Sequence, residues 1–143
     1  MSQLGIVNPP ALGAPRGYAN GVLAPAGSRL LMVAGQIAWD GDQRIVSDDF
    51  TAQFAQALRN VVAVVEAAGG GAEHLGSLTI YVTDKREYLA ATRDVGAAYR
   101  EICGRHFPAM ALVEVQGLLD PRAKVEIQGL AALPAAPAVG GRD

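Results

Sequence analysis

Two carboxylates sit in apolar, alternating runs near the end of the chain. Glu126 lies in Lys124-Val125-Glu126-Ile127-Gln128, and Glu114 closes Ala109-Met110-Ala111-Leu112-Val113-Glu114. A Leu118-Leu119-Asp120-Pro121-Arg122 turn between the runs predicts an antiparallel hairpin. Centred on Asp120, such a hairpin sets Glu114 and Glu126 opposite each other. Two facing carboxylates repel, which raises the apparent pKa of the pair and suits one of them to proton transfer. The plain alternative is that Glu126, on one face with Lys124 and Gln128, is a solubilising surface residue.

Tyr18 stands between Gly17 and Gly21 where a loop enters a strand, either as a phenol that closes over a ligand or as packing. Gly69-Gly70-Gly71 follows a helical pattern instead of opening one and lacks the Lys-Ser/Thr of a phosphate loop, so it reads as a helix stop. Neither His74 nor His106 has a partner at metal-ligand spacing, and no metal site is expected. Cys103 falls beside the apolar stripe of its helix and reads as a core thiol. No Gly-x-Ser-x-Gly elbow is present.

The elements that must hold these groups read in order as strands, helix, strand, helix and two strands. Leu4 to Asn8 and the segment around Val22 are short strands, with a hairpin signal at Ala24-Pro25-Ala26-Gly27. Arg29 to Ala38 is apolar at nearly every position, which predicts a strand buried on both faces. Phe50, Phe54, Ala57, Leu58, Val61 and Val65 form one helical stripe, with Ser47 as the expected N-cap and Gly69 as the stop. Leu75 to Thr83 is a strand, and Asp84 with Glu87 resembles a capping box for a second helix ending at Gly104. Two helices cover one face of a sheet of five to six strands, which leaves the other face bare and apolar. Self-association through that face is the expected remedy.

The totals agree with a single α+β domain. The chain has 143 residues, half of them apolar and 18% charged. Its formal charge of −2 provides no basic field for phosphates, so nucleic acid is not an expected partner. One cysteine suits a reducing cytoplasm, and neither a signal peptide nor a membrane span is expected.

Several segments together resemble the YjgF/RidA family: Gly17-Tyr18, Val33-Ala34-Gly35-Gln36-Ile37, Gln53 with Ala57-Leu58-Arg59-Asn60-Val61, and Glu66-Ala67-Ala68-Gly69. Leu78 to Asp84, Phe107-Pro108-Ala109 and Val125-Glu126-Ile127 continue the match in the same order. The resemblance covers residues 17–133 as one domain, with 1–16 as an N-terminal strand and loop and 134–143 as a flexible tail. It implies a chorismate-mutase-like α+β subunit, a homotrimer with ligand clefts between subunits, and no cofactor. In the deaminase members it implies hydrolysis of enamine or imine intermediates to 2-keto acids and ammonia. There an arginine after the Pro-Ala pair grips the substrate carboxylate, and the glutamate of the Val-Glu-Ile run positions water.

This chain departs from the pattern at that arginine, which is Met110, and at a nearby cysteine, which is Leu112; an asparagine that opens the second helix falls on Thr92 or beside Arg93. A thioether cannot replace the paired hydrogen bonds of a guanidinium. The expected site is therefore Glu126 as the catalytic residue, with Tyr18, Gly35, Thr92, Arg93, Met110, Leu112 and Glu114 around the ligand. Arg93 or Arg105 is the expected substitute cation. The resulting expectation is a trimer that binds, and in its active form hydrolyses, a small enamine or imine metabolite other than the usual 2-imino acids. The alternatives are a non-enzymatic ligand sensor or protein-binding trimer, and a ribonuclease or translation inhibitor, which the acidic balance disfavours.

Overall fold

The computed structural model describes residues 3–136. The elements in order are β1 (Gly5–Val7), a 3-10 turn (Pro10–Leu12), β2 (Gly21–Leu23), β3 (Arg29–Gln36) and α1 (Phe50–Ala67). A second 3-10 turn (Ala72–His74), β4 (Leu75–Val82), α2 (Lys85–Ala90), α3 (Thr92–Cys103), β5 (Ala109–Glu114) and β6 (Val125–Leu133) complete the chain. The class is α+β, as the sequence predicts. The six strands divide into a β1-β2 pair and a mixed four-stranded sheet ordered β3-β6-β4-β5. The second helix is broken at Ala91, where ψ turns to 14°, and becomes α2 and α3.

Helix α1 forms where the apolar stripe predicts it, and Phe54, Leu58, Val61 and Val65 pack against the sheet among the buried core. The carboxylate of Asp49 accepts from the Ala52 amide at 2.9 Å, so Asp49 and not Ser47 caps the helix. Ser47 instead accepts from the Asp49 amide, fixing the entry to the cap. Gly69, at φ 94°, supplies the left-handed stop.

The expected hairpin of β5 with β6 does not form. Strand β5 pairs β4 in parallel, from Ser77↔Ala109 to Val82↔Glu114, and β4 lies between β5 and β6. Burial decides this order. Leu75, Leu78, Ile80 and Val82 of β4 are all buried, so the strand takes a central place with a partner on each side, and α2 and α3 supply the crossover that parallel pairing needs.

The segment before β6 is also tied to α1 instead of folding back on β5. Gln53 is fully buried, donating from Nε2 to the carbonyls of Ser47 and Arg122 while its Oε1 accepts from the Lys124 amide. This one side chain satisfies three backbone groups that would otherwise be stranded.

Register then assigns the two faces of the sheet. Val125, Ile127, Gly129, Ala131 and Leu133 of β6 face the helices, and partners on neighbouring strands share a face. Met110, Leu112 and Glu114 align with Leu78, Ile80 and Val82 on the helix side. Glu126, Gln128 and Leu130 align with Tyr81, Thr79, Ser77 and Met32 on the open side.

Strand β3 is not buried on both faces as its composition predicts: Leu30 is 61% and Met32 78% exposed. Leu30 borders a hollow with Leu4, Val22 and Leu130, and most of its surface, like that of Met32, stays open to solvent. The Ala24 to Gly27 signal makes a turn but no hairpin, since β2 pairs β1 and β3 pairs β6. Pro134 to Ala136 have no regular structure, and the rest of the expected tail, 137–143, lies outside the described residues. No helix among the described residues is long and apolar enough to cross a membrane.

Candidate functional site

Glu126 and Gly35 are brought together. Between Val33 and Gln36 the register of β3 against β6 slips, so β3 bulges there and carries Gly35 over Glu126. A Cβ built on Gly35 would collide with the Glu126 carboxylate, so the glycine is what allows the carboxylate to lie on the backbone. Tyr81, paired directly with Glu126, donates its hydroxyl to Gln128 Oε1 at 3.1 Å. Alternation along β6 puts Gln128 on the face of Glu126, while Tyr81 joins that face only through the register of β4 against β6. Glu126 itself is half-buried.

Glu114 is not the partner of Glu126. It lies on the helix side, and β4 separates the two strands, because the hairpin that would have faced them is absent. Its Oε2 accepts from the Lys85 amide at 3.0 Å, and it lines an open polar depression with Thr83, Lys85 and Gln116. Beside it, hydrogen bonds from the Arg86 side chain hold Asp84 below the usual carboxylate range.

Met110 and Thr92 line a second, distinct hollow at the β5 edge. It is a cavity of about 310 Å³ between α2, α3 and the Arg16-Gly17 loop. Its walls include Phe54, Ile80, Tyr88, Tyr99 and Phe107. Tyr99 stacks on Phe107 with ring centres 5.4 Å apart and donates its hydroxyl to the His106 carbonyl at 2.6 Å. Burial pushes its pKa upward, so it remains a neutral phenol at neutral pH. Leu112 does not reach this cavity and packs against the core.

The two expected substitute cations do not line the Met110 cavity. Arg105 borders a separate hollow with Tyr18, Asn8 and His106, while Arg93 is exposed on α3. Arg16 and Arg100 line it instead. A signal for Arg100 was present: Thr92, Val95, Gly96, Tyr99 and Arg100 follow helical spacing on a single face of α3.

Within one chain these groups stay apart. Met110 is level with Leu78, Glu126 with Tyr81. Two strands and three residues along, about 14 Å of sheet, separate them, and they occupy opposite faces. Tyr18 follows the Met110 side, since the Ala19 amide donates to the Pro108 carbonyl beside the start of β5. No group of three or more His, Cys, Asp or Glu suited to a metal occurs among the described residues.

Comparison with known proteins adds what this chain is similar to. A family model described as Endoribonuclease L-PSP matches residues 10–133. A 2-iminobutanoate/2-iminopropanoate deaminase of Salmonella typhimurium is 35% identical over 105 residues, covering 71% of this chain and 78% of that protein.

Among solved structures, the Yersinia pestis protein YyfB, described as a protein of unknown function of the conserved Rid family, superposes with a TM-score of 0.82. It is 27% identical, over 92% of this chain and 99% of that one. TdcF of E. coli, solved with bound serine, gives a TM-score of 0.62 at 27% identity, over 84% of this chain and 91% of that one. The arrangement of strands and helices is thus the chorismate-mutase-like α+β fold that the resemblance implied.

Proposed function

The chain belongs to the endoribonuclease L-PSP family, also called YjgF/Rid, and we propose that it is a homotrimeric cytoplasmic member whose clefts hydrolyse a small enamine or imine metabolite. The observation that carries the reading is the Glu126 carboxylate seated on Gly35 at the edge of a bare apolar sheet face. Leu30, Met32, Val113 and Leu130 share that open face, each more than a third exposed. Packing the open faces of three copies together removes this surface from water, and it carries Glu126 of one copy toward the Met110 edge of the next.

The chemistry asks little of the protein. An imine carbon is already electrophilic, so a held substrate and a directed water suffice. Glu126 accepts a proton from water as the water oxygen bonds to the imine carbon, and passes that proton to the imine nitrogen. The resulting carbinolamine expels ammonia as its hydroxyl oxygen becomes the carbonyl of the product. Tyr18, Thr92 and Met110 shape the ligand's surroundings on the neighbouring edge. Residues 17–133 form the working domain.

Met110 makes the ordinary 2-imino acids poor substrates, because the paired hydrogen bonds of an arginine are missing at that point. It also favours a second reading, a ligand sensor that keeps the fold without the hydrolysis. Generating 2-iminopropionate in situ and following its decay separates the two. Slow decay with the wild type that accelerates with Met110→Arg supports a working cleft without its usual clamp. Fast decay with the wild type contradicts the specificity inferred from Met110, and decay unaffected by Glu126→Gln contradicts the hydrolytic role.

A further inference from the structure

We propose that the Met110 cavity is a receptor for a small carboxylate with an aromatic or branched apolar body, with Arg100 and Arg16 as the groups that hold its charge. This deepens the proposed function and rests on it only for the claim that the bound molecule is turned over.

The walls set the body of the ligand. Phe54, Ile80, Tyr88, Phe107 and Met110 make an apolar, largely aromatic interior, and at about 310 Å³ the cavity lies at the small end of ligand pockets. A two- or three-carbon acid would leave most of that wall unfilled. A ring or a branched chain fills it, and Met110, unbranched and polarisable, suits contact with an aromatic ring.

The rim sets the charge. Arg16 and Arg100 both line the cavity, and no carboxylate does. Both are exposed, and among the described residues neither forms an ion pair, so each guanidinium can turn to a ligand without breaking one. Gly96 accounts for the position of Arg100. A Cβ there would stand 3.3 Å from Arg100 Nη1, so the guanidinium folds back over the glycine, one turn toward the cavity.

A glycine within a helix costs about 1 kcal/mol relative to alanine. Here it opens the helix surface under a cation that has no counter-ion among the described residues. Two unpaired guanidiniums above an aromatic wall fit an amphiphilic anion, and the planar fork matches a carboxylate. The cation lost at position 110 is thus regained from α3 and the Arg16 loop, farther from the β5 backbone, where a larger acid has room.

Calorimetry with three stable probes tests this on the intact protein. Phenylpyruvate carries both features, pyruvate only the charge, and phenylacetamide only the ring. Phenylpyruvate is expected to bind at least about tenfold more tightly than either of the others. Arg100→Gln is expected to weaken phenylpyruvate about tenfold and leave phenylacetamide unchanged, and Arg93→Gln to change neither. Equal binding of phenylpyruvate and phenylacetamide, no binding of phenylpyruvate, or an unchanged affinity in Arg100→Gln would overturn the proposal.

Because these probes are not imines, the result is independent of turnover. Tight, Arg100-dependent binding without any imine decay would leave the receptor standing and remove the hydrolase. Imine decay by a protein that does not bind phenylpyruvate would leave the hydrolase standing and remove the receptor.

Discussion

The two faces of the four-stranded sheet are built from similar residues and have opposite fates. On the covered face, Leu78, Ile80, Val82, Val125 and Ile127 are buried under α1 and α3. On the open face, Leu30, Met32 and Leu130 are just as apolar yet lie exposed beside Glu126 and Gln128. Apolar composition alone therefore does not say what a strand packs against. The difference also divides the candidate chemistry: the cavity of Met110 belongs to the covered side, and Glu126 with its glycine belongs to the open side.

Substitutions on the two faces should separate accordingly. The largest effect is expected on the covered side, where Leu58→Ala should cost about 2–5 kcal/mol of stability in urea unfolding by opening a cavity under the sheet. Gln53→Leu should cost about 3 kcal/mol or more by the same measurement, since three backbone groups lose their partner.

On the open side, Met32→Glu should leave the fold intact by circular dichroism yet disfavour association by about 2 kcal/mol or more, because it asks a charge to enter an apolar contact. For the proposed trimer, sedimentation would read this as a shift toward monomer. Gly35→Ala should lower imine hydrolysis about 10–100-fold by displacing the Glu126 carboxylate, with little change in Tm.

The smallest effect is expected at Cys103. Burial pushes its thiol up to about 11, so it stays protonated at neutral pH, and alkylation of the native protein should be slow until the pH approaches that value.

Much of this was legible in the sequence, because local signals point the same way. The α1 stripe, the Gly69 stop and the alternation of Val125, Glu126 and Ile127 each depend only on neighbours in the chain, and each appears as expected. Strand partners were not legible. The Asp120-Pro121 turn resembles a hairpin connection, yet Gln53, far away in sequence, captures the backbone at Arg122 and Lys124, and β4 takes the place beside β6. The Glu114–Glu126 pair failed for that reason, since its only support was a register.

Neither Arg93 nor Arg105 lines the Met110 cavity, whereas Arg100, on the same helical face of α3 as Thr92, Val95 and Gly96, does. The bulge at Gly35 has no signal beyond the glycine itself, and only the structure shows what that glycine admits.

The central claim is that the two halves of the site meet only between copies of the chain. A crosslinking measurement tests it directly: Tyr18→Cys and Glu126→Cys are combined in one chain, treated with a bismaleimide too short to span the sheet, and resolved by mass under denaturing conditions. Cys103 is buried and its thiol protonated, so it contributes little background. The account predicts covalent species up to three times the 14.8 kDa chain from the double variant and none from either single variant. Monomeric product from the double variant would contradict it.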